Sequence, residues 1–304
     1  MKVSVILSAY CGSKYLKEQL ESIVHQTRIP DEVIIIDDDS PDGGATVQII
    51  NEYCSNYPFI NKHINERNLG WERSFMHGIA LVSKETDIVF FSDQDDIWEL
   101  SKIEKMESLF LDESVDVVIS DCQYVDETLN PIESHTNSNS LKSDKYVFDK
   151  KFINPKGVGA AMAIRKRFAD NYISLWNPSI GHDRFFQIVA VVYDKLYYYD
   201  AITTYHRIHG NNATGKKVFD TESRIVGIQG NIELVDSILN SALSRQLSDS
   251  RKKVICGYLS FANHRLLMLK NGSLWRWITL PLYGLGYYPT SKTWYGDLRC
   301  IWRR

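Results

Sequence analysis

Two short acidic runs dominate the chemistry this sequence could perform: Asp37-Asp38-Asp39 and Asp93-Gln94-Asp95-Asp96. Carboxylates set this closely repel one another unless something cationic is shared between them. The Asp93-x-Asp95 spacing suits a hard divalent cation, Mg2+ or Mn2+, gripped by one or two carboxylates and by substrate phosphates. A lone Asp-x-Asp is usually a solvated turn or a helix cap. Here each run directly follows a β-branched apolar stretch, and that pairing shifts the reading towards a site.

The elements that must hold these runs follow from hydrophobic patterning. Val3–Leu7, Glu32–Ile36, Asp87–Phe91 and Val115–Ile119 are short apolar runs without a helical polar face, and they predict buried strands. Between the first two, Leu16, Leu20, Ile23 and Val24 recur at helical spacing, with Ser13 as the expected N-cap and Pro30 closing the segment. Further helices are expected over about 45–53 and 72–83, with a strand near 61–65. Strand and helix alternating at this spacing imply an α/β fold: a mostly parallel sheet with helices on both faces. Ligands of such sheets bind beyond the carboxyl ends of the strands, where both acidic runs fall.

Composition narrows the classes. The 304 residues are 44% apolar and 24% charged, with a net charge of −3, which disfavours disorder, a polytopic membrane protein and general nucleic-acid binding. Five scattered cysteines without a C-x-x-C pair argue against a disulfide framework, and the short apolar start is unlike a signal peptide, so a cytoplasmic location is expected. No G-x-G-x-x-G follows the first strand and no Walker-type phosphate loop occurs, which disfavours a nicotinamide dehydrogenase and a P-loop NTPase. Charge divides the chain at about residue 217. Residues 1–217 carry 23 basic and 32 acidic residues, whereas 218–304 carry 12 and 6. The segments 1–217 and 218–304 are therefore read separately.

Three segments, VSVILSAYCGSKYLKEQLESIVHQT, IIIDDDSPDGG and FFSDQDDIW, in this order over the first hundred residues, resemble the family 2 glycosyltransferases with the GT-A fold. GHDRFF at 181–186 and YHRIHGNNATG at 205–215 extend the likeness to a bacterial, rhamnosyltransferase-like branch of surface polysaccharide synthesis. The resemblance implies a nucleotide-sugar half over 1–125 and an acceptor side over 126–217. It implies that Ser8 and Tyr10 line the nucleotide pocket and that Asp38 accepts a hydrogen bond from a pyrimidine N3–H. Asp93 and Asp95 would grip the metal on the donor diphosphate, with Asp96 adjacent and His209 completing the site. Asp183 matches the catalytic base, with His182 beside it; Arg73 is a substitute diphosphate contact and Gly159 a residue bordering the acceptor.

The reaction so implied is a single, inverting displacement. An acceptor hydroxyl attacks the anomeric carbon of a thymidine- or uridine-diphosphate sugar, and the diphosphate leaves from the opposite face. The acceptor would be a growing, lipid-linked cell-surface polysaccharide. A sugar-phosphate nucleotidyltransferase is the alternative, although Ser8–Lys14 makes a poor triphosphate loop; a non-catalytic nucleotide-sugar-binding protein is the third reading.

The last ninety residues carry two helical stripes, Ile225 to Leu239 and Val254 to Leu269, suited to packing on the catalytic domain or on a second copy of the chain. The apolar stretch Trp277–Tyr288 is interrupted by Pro281, Gly284 and Gly286 and falls short of the about 20 residues that span a bilayer. The tryptophans, tyrosines and arginines of the whole tail from Leu274 onward suit a membrane interface, so peripheral contact with the inner face of the cell membrane is expected.

Overall fold

A computed structural model describes residues 1–132, 142–210, 212 and 220–302. Most of the polar 130–144 loop and the end of the 205–215 motif therefore lie outside the described residues. The chain divides into two compact units, Met1–Tyr146 with Gly157–Ile173 and Lys195–Gly215, and Val147–Lys156 with Ser174–Asp194 and Lys216–Arg304. The second unit thus takes two segments from within the span 126–217.

Among the described residues of the first unit, nine strands form one sheet: β1 (Val3–Ala9), β2 (Glu32–Asp37), β3 (Ile60–Ile64), β4 (Ile88–Asp93), β5 (Ile97–Trp98), β6 (Val117–Val125), β7 (Asp144–Lys145), β8 (Met162–Arg165) and β9 (Leu196–Arg207). Their order is β3-β2-β1-β4-β8-β6-β9-β5, with β7 on β9. The first four are parallel, β8 enters antiparallel between β4 and β6, and β6 and β9 are parallel again. Helices α1 (Leu16–Val24), α2 (Ala45–Asn56), α3 (Trp71–Leu81), α4 (Lys102–Leu109) and α5 (Lys166–Tyr172) complete the unit.

Alternation along β1 explains the two layers. Val3, Val5, Leu7 and Ala9 share a core with Leu16, Leu20 and Ile23 of α1 and Ile103 and Met106 of α4. Burying each such aliphatic side chain stabilises the fold by about 1.5–3 kcal/mol. Ile6 faces the other way, towards α3, where Gly78 lets the helix lie close: a Cβ there would collide with Ile6 and Ile36. Ser13 does not cap α1. The helix starts at Leu16 after Tyr15, without a side-chain cap, because the Gly12 carbonyl takes the amides of Tyr15 and Leu16 at 3.1 and 3.0 Å.

In the second unit, α6 (His182–Val192), α7 (Thr221–Asn240), α8 (Asp249–Asn271), α9 (Leu274–Thr279), α10 (Pro281–Gly284) and α11 (Ser291–Trp302) surround an aromatic core. The two expected stripes lie on α7 and α8, capped by Asp220 and Ser248, whose side chains accept from the Ser223 and Arg251 amides. Asp297, fully buried, ties α7, α8 and α11. Its carboxylate accepts from Arg224 Nη1 at 3.0 Å, from Arg265 Nε and Nη2 at 2.7 and 2.9 Å, and from the Tyr288 hydroxyl at 3.1 Å.

Candidate active site

Parallel pairing brings the expected residues to one edge. Ser8 of β1 lies in register with Asp93 of β4, and Ala9 with Asp37 of β2. The loops leaving β1, β2 and β4 therefore start side by side at the carboxyl edge of the sheet, where an open α/β fold takes its ligands.

The first acidic run builds its own loop. Asp37, buried, receives the Ser40 hydroxyl at 2.6 Å and the Ser40 amide at 3.1 Å, a local Asx turn. Asp39 is exposed with φ of 58°. Asp38 is 2% exposed; its Oδ1 accepts from Asn65 Nδ2 at 2.7 Å and the Leu69 amide at 2.8 Å, and its Oδ2 from the Gly70 amide at 2.9 Å. A carboxylate has about four acceptor sites, so one site on Oδ2 is left for a further donor. The carboxylate also sits at the start of α3, where the helix dipole favours a negative charge. Arg73, one turn into α3, is exposed.

Tyr10 is 44% exposed, and its backbone is held as if by a neighbouring strand. Its amide donates to Gln94 Oε1 at 2.8 Å, and Gln94 Nε2 donates to its carbonyl at 2.9 Å. Gly12 makes room for this pairing, since a Cβ there would run into the Gln94 amide. Sequence reading passed over Gln94; the one signal was its place as the neutral member of an otherwise acidic run.

The second run is closed by a strand that patterning did not reveal. The two residues of β5, directly after Asp96, pair with β9 as Ile97↔Tyr205 and Trp98↔Thr204. That register lays His206, Arg207 and His209 against Asp95 and Asp96. Asp96 is fully buried; its Oδ1 accepts the Arg207 amide at 3.1 Å and lies 2.9 Å from His206 Nδ1, while Oδ2 has no hydrogen-bond partner among the described residues. Burial alone would lower the His206 pKa, but the charge and hydrogen bond of Asp96, with Asp93 and Asp95 behind, push it up to about 9. The His206 ring is therefore protonated at neutral pH. Burial, then repulsion from Asp96, raises the Asp95 carboxyl, and the hydrogen bond with His209 opposes that shift.

Arg207, 1% exposed, is the clasp. Its Nε donates to the Asp95 carbonyl at 2.9 Å, Nη1 to the Glu127 carbonyl at 2.7 Å and Nη2 to the Glu18 carboxylate at 2.6 Å, with Tyr15 under its guanidinium. Beneath the loop, Lys102 is wholly buried over the Trp98 ring and donates to the Ala160 carbonyl at 2.5 Å and to Thr204 Oγ1 at 2.8 Å. Burial drives its pKa down to about 7, against the pull of Asp96, Cys122 and Asp93. Trp98 is thus a core anchor. Gly159 opens the buried turn Gly159–Ala161 that leads into β8.

Cation binding can be tested on the donor set. His209 Nε2 and Asp95 Oδ2 lie 2.8 Å apart, close to the about 3 Å that separates neighbouring ligands on one small octahedral cation. No three His, Cys, Asp or Glu side chains among the described residues are grouped to hold a metal ion. The protein thus offers a partial donor set that fits a cation only when substrate phosphates supply the rest.

Asp183 and His182 belong to the second unit, at the first turn of α6. Asp183 is half-buried and its Oδ1 accepts the Arg184 amide at 2.7 Å. His182 is buried, and burial pushes its pKa down to about 4, so its ring is neutral.

Comparison with known proteins identifies the family and the fold. Residues 4–173 match the family described as Glycosyl transferase family 2, more than half of the chain. An uncharacterised glycosyltransferase of Nostoc is 26% identical over 81% of this chain and 76% of its own length. The dTDP-rhamnosyl transferase RfbG of Shigella flexneri is 36% identical over 32% of this chain. The poly(ribitol-phosphate) beta-N-acetylglucosaminyltransferase TarP of Staphylococcus aureus is 30% identical over 39%. The chain spans only about a third of these last two, 34% and 36% of their lengths. Among solved structures, S. aureus TarS in complex with UDP-GlcNAc superimposes with a TM-score of 0.66 at 18% identity, covering 92% of this chain and 79% of that one. A Pyrobaculum calidifontis mannosyltransferase in complex with GDP-Man and Mn2+ gives 0.57 at 14% identity, covering 99% and 84%. The fold is that of these GT-A enzymes, and the chain belongs to glycosyltransferase family 2.

Proposed function

We propose that this glycosyltransferase moves a sugar from a thymidine- or uridine-diphosphate donor, with inversion, onto a growing lipid-linked cell-surface polysaccharide. The observation that carries the donor half is the convergence of Ser8, Asp38 and Asp93 at the carboxyl edge, with the His209–Asp95 pair 2.8 Å across. RfbG and TarP, acting with dTDP-rhamnose and on poly(ribitol-phosphate) by their names, favour a surface-polymer acceptor.

In this reading the remaining acceptor site of Asp38 takes the pyrimidine N3–H, and Ser8 and Tyr10 border the base. Asp93, Asp95 and His209 would hold Mg2+ or Mn2+ on the diphosphate, with Asp96 held in place behind them; such an ion stabilises the charge that develops on a leaving diphosphate. Asp183 takes the proton of the acceptor hydroxyl, a contribution of about 10²–10⁴-fold. Its neighbour His182, neutral and buried, adds no competing charge. Arg73 would meet the diphosphate from the exposed side of α3, and Gly159 would border the acceptor.

A thermal-shift panel of uridine, thymidine and guanosine diphosphates, with and without Mn2+, tests the donor. A ligand at 100 times its Kd stabilises the fold by about 2.7 kcal/mol, so the matching pyrimidine nucleotide raises Tm most, and more with Mn2+. Guanosine diphosphate giving the largest shift would contradict the assignment of Asp38.

A further inference from the structure

The C-terminal helices of the second unit reverse the usual pattern of burial. Along α9, α10 and Leu285, which continues the helical backbone at φ −56° and ψ −38°, Trp275, Ile278, Leu282 and Leu285 follow a 3-4-3 spacing, which is one face of a helix, and they are 73%, 52%, 84% and 56% exposed. Leu280, at φ −57° and ψ −39°, carries helical backbone from one short helix into the next. On α11, Lys292, Tyr295, Arg299 and Trp302 repeat the same spacing, all exposed, with Trp302 at 78%. An outward apolar stripe beside an outward basic-aromatic one needs an explanation.

These stripes are held on a rigid support. Trp277 of α9 stacks on Trp294 of α11 at 4.5 Å and 12°. Each indole also donates to the other's backbone carbonyl, Trp277 Nε1 at 2.9 Å and Trp294 Nε1 at 3.2 Å. From residue 250 onward Asp297 is the sole acidic side chain in the sequence, and it is buried against Arg224 and Arg265; the exposed acidic residues near α11, Asp220 and Glu222, lie at the first turn of α7. Lys270, Lys292 and Arg299 are exposed over the same stretch.

We infer that α9–α11 form a docking surface for an anionic lipid bilayer. Tryptophan, tyrosine and leucine reach the headgroup–acyl boundary while the lysines and arginines meet lipid phosphates, as amphipathic interfacial helices do. The surface lies on the membrane without crossing it, since no helix among the described residues is long and apolar enough to span one. A second copy of the chain suits the surface less well: a two-fold interface would press Lys292 and Arg299 of one copy against the same patch of the other, and α9–α11 themselves offer no exposed carboxylate to compensate. The inference stands on the second unit alone and does not depend on the donor assigned above.

Flotation of the purified full chain with phosphatidylcholine vesicles, with or without one-third phosphatidylglycerol, tests this. The chain is expected to float with the anionic vesicles only. Each lysine or arginine near such a surface strengthens binding by about fivefold, so Lys292→Glu with Arg299→Glu should weaken it by more than tenfold. Trp275→Ser with Leu282→Ser should abolish it at physiological salt; both side chains are outward, and circular dichroism checks the fold. Failure of the wild-type chain to float, or equal flotation of both double variants, would overturn the inference. So would light scattering that shows a dimer which Trp275→Ser with Leu282→Ser converts to monomer.

Discussion

Asp96 and Asp297 are both fully buried carboxylates facing cations, yet they sit in opposite states of completion. Asp297 accepts four hydrogen bonds from two arginines and a tyrosine, so its acceptor capacity is filled. It is a staple between helices. Asp96 has one oxygen engaged by His206 and Arg207 and the other without a partner, and Asp95 beside it has a raised pKa. Unfilled capacity at a strand end costs stability. The two carboxylates thus differ in how far their acceptor capacity is filled among the described residues.

The largest expected effect breaks the open side of this contrast. Asp95→Asn keeps size and removes charge, and under the proposed chemistry it lowers the rate of nucleotide release from the donor by about 10²–10³-fold, while Asp183→Asn lowers it by about 10²–10⁴-fold. Neither should shift Tm downward by much; a normal rate in both variants would remove these residues from the reaction. On the closed side, Asp297→Ala strands two arginines and should cost about 3–5 kcal/mol in urea denaturation, with nucleotide affinity retained. Loss of nucleotide affinity without loss of stability would reverse the contrast.

The His206–Asp96 ion pair sharpens it through pH. The folded pKa of about 9 lies above the ordinary 6.5, so the stabilisation is fully present below pH 6.5 and is lost as pH rises through about 9. The stability difference between wild type and His206→Asn should therefore shrink with rising pH, by on the order of 3 kcal/mol. Lys102 titrates in the same range with the opposite sign, but it is common to both proteins and cancels in the difference. A pH-independent difference would mean that His206 does not titrate with a raised pKa. The smallest effect is at Gln94→Ala, where loss of two bonds to the Tyr10 backbone should cost about 1–2 kcal/mol of nucleotide binding by calorimetry, without changing the metal dependence.

The parallel half of the sheet was legible because β1, β2 and β4 are apolar runs buried on both faces, each ending in a polar stop. The long stripes of α7 and α8 were legible by the same periodicity. β9 was not: its Tyr197-Tyr198-Tyr199 and Thr203-Thr204 alternate weakly, and its pairing with β6 is broken by register shifts near Asp121. The acidic runs announced a site by type and position, yet their partners did not announce themselves. Arg207 and His206 lie more than a hundred residues from Asp96, and only the two-residue strand β5 joins them. The donors that fill most of Asp38 come from the loop before α3, whose path depends on the glycine at 70 with φ of 87°. Contacts set by tertiary path leave no local trace in the chain.

Calorimetric titration of uridine and thymidine diphosphates, with and without Mn2+, into the wild-type chain and Asp95→Asn tests the central claim most directly. One of the two nucleotides should bind wild type at least about tenfold more tightly with Mn2+, and that gain should vanish in the variant. Equal affinity with and without the ion, unchanged by the substitution, would contradict a diphosphate held through the aspartates of the sheet edge.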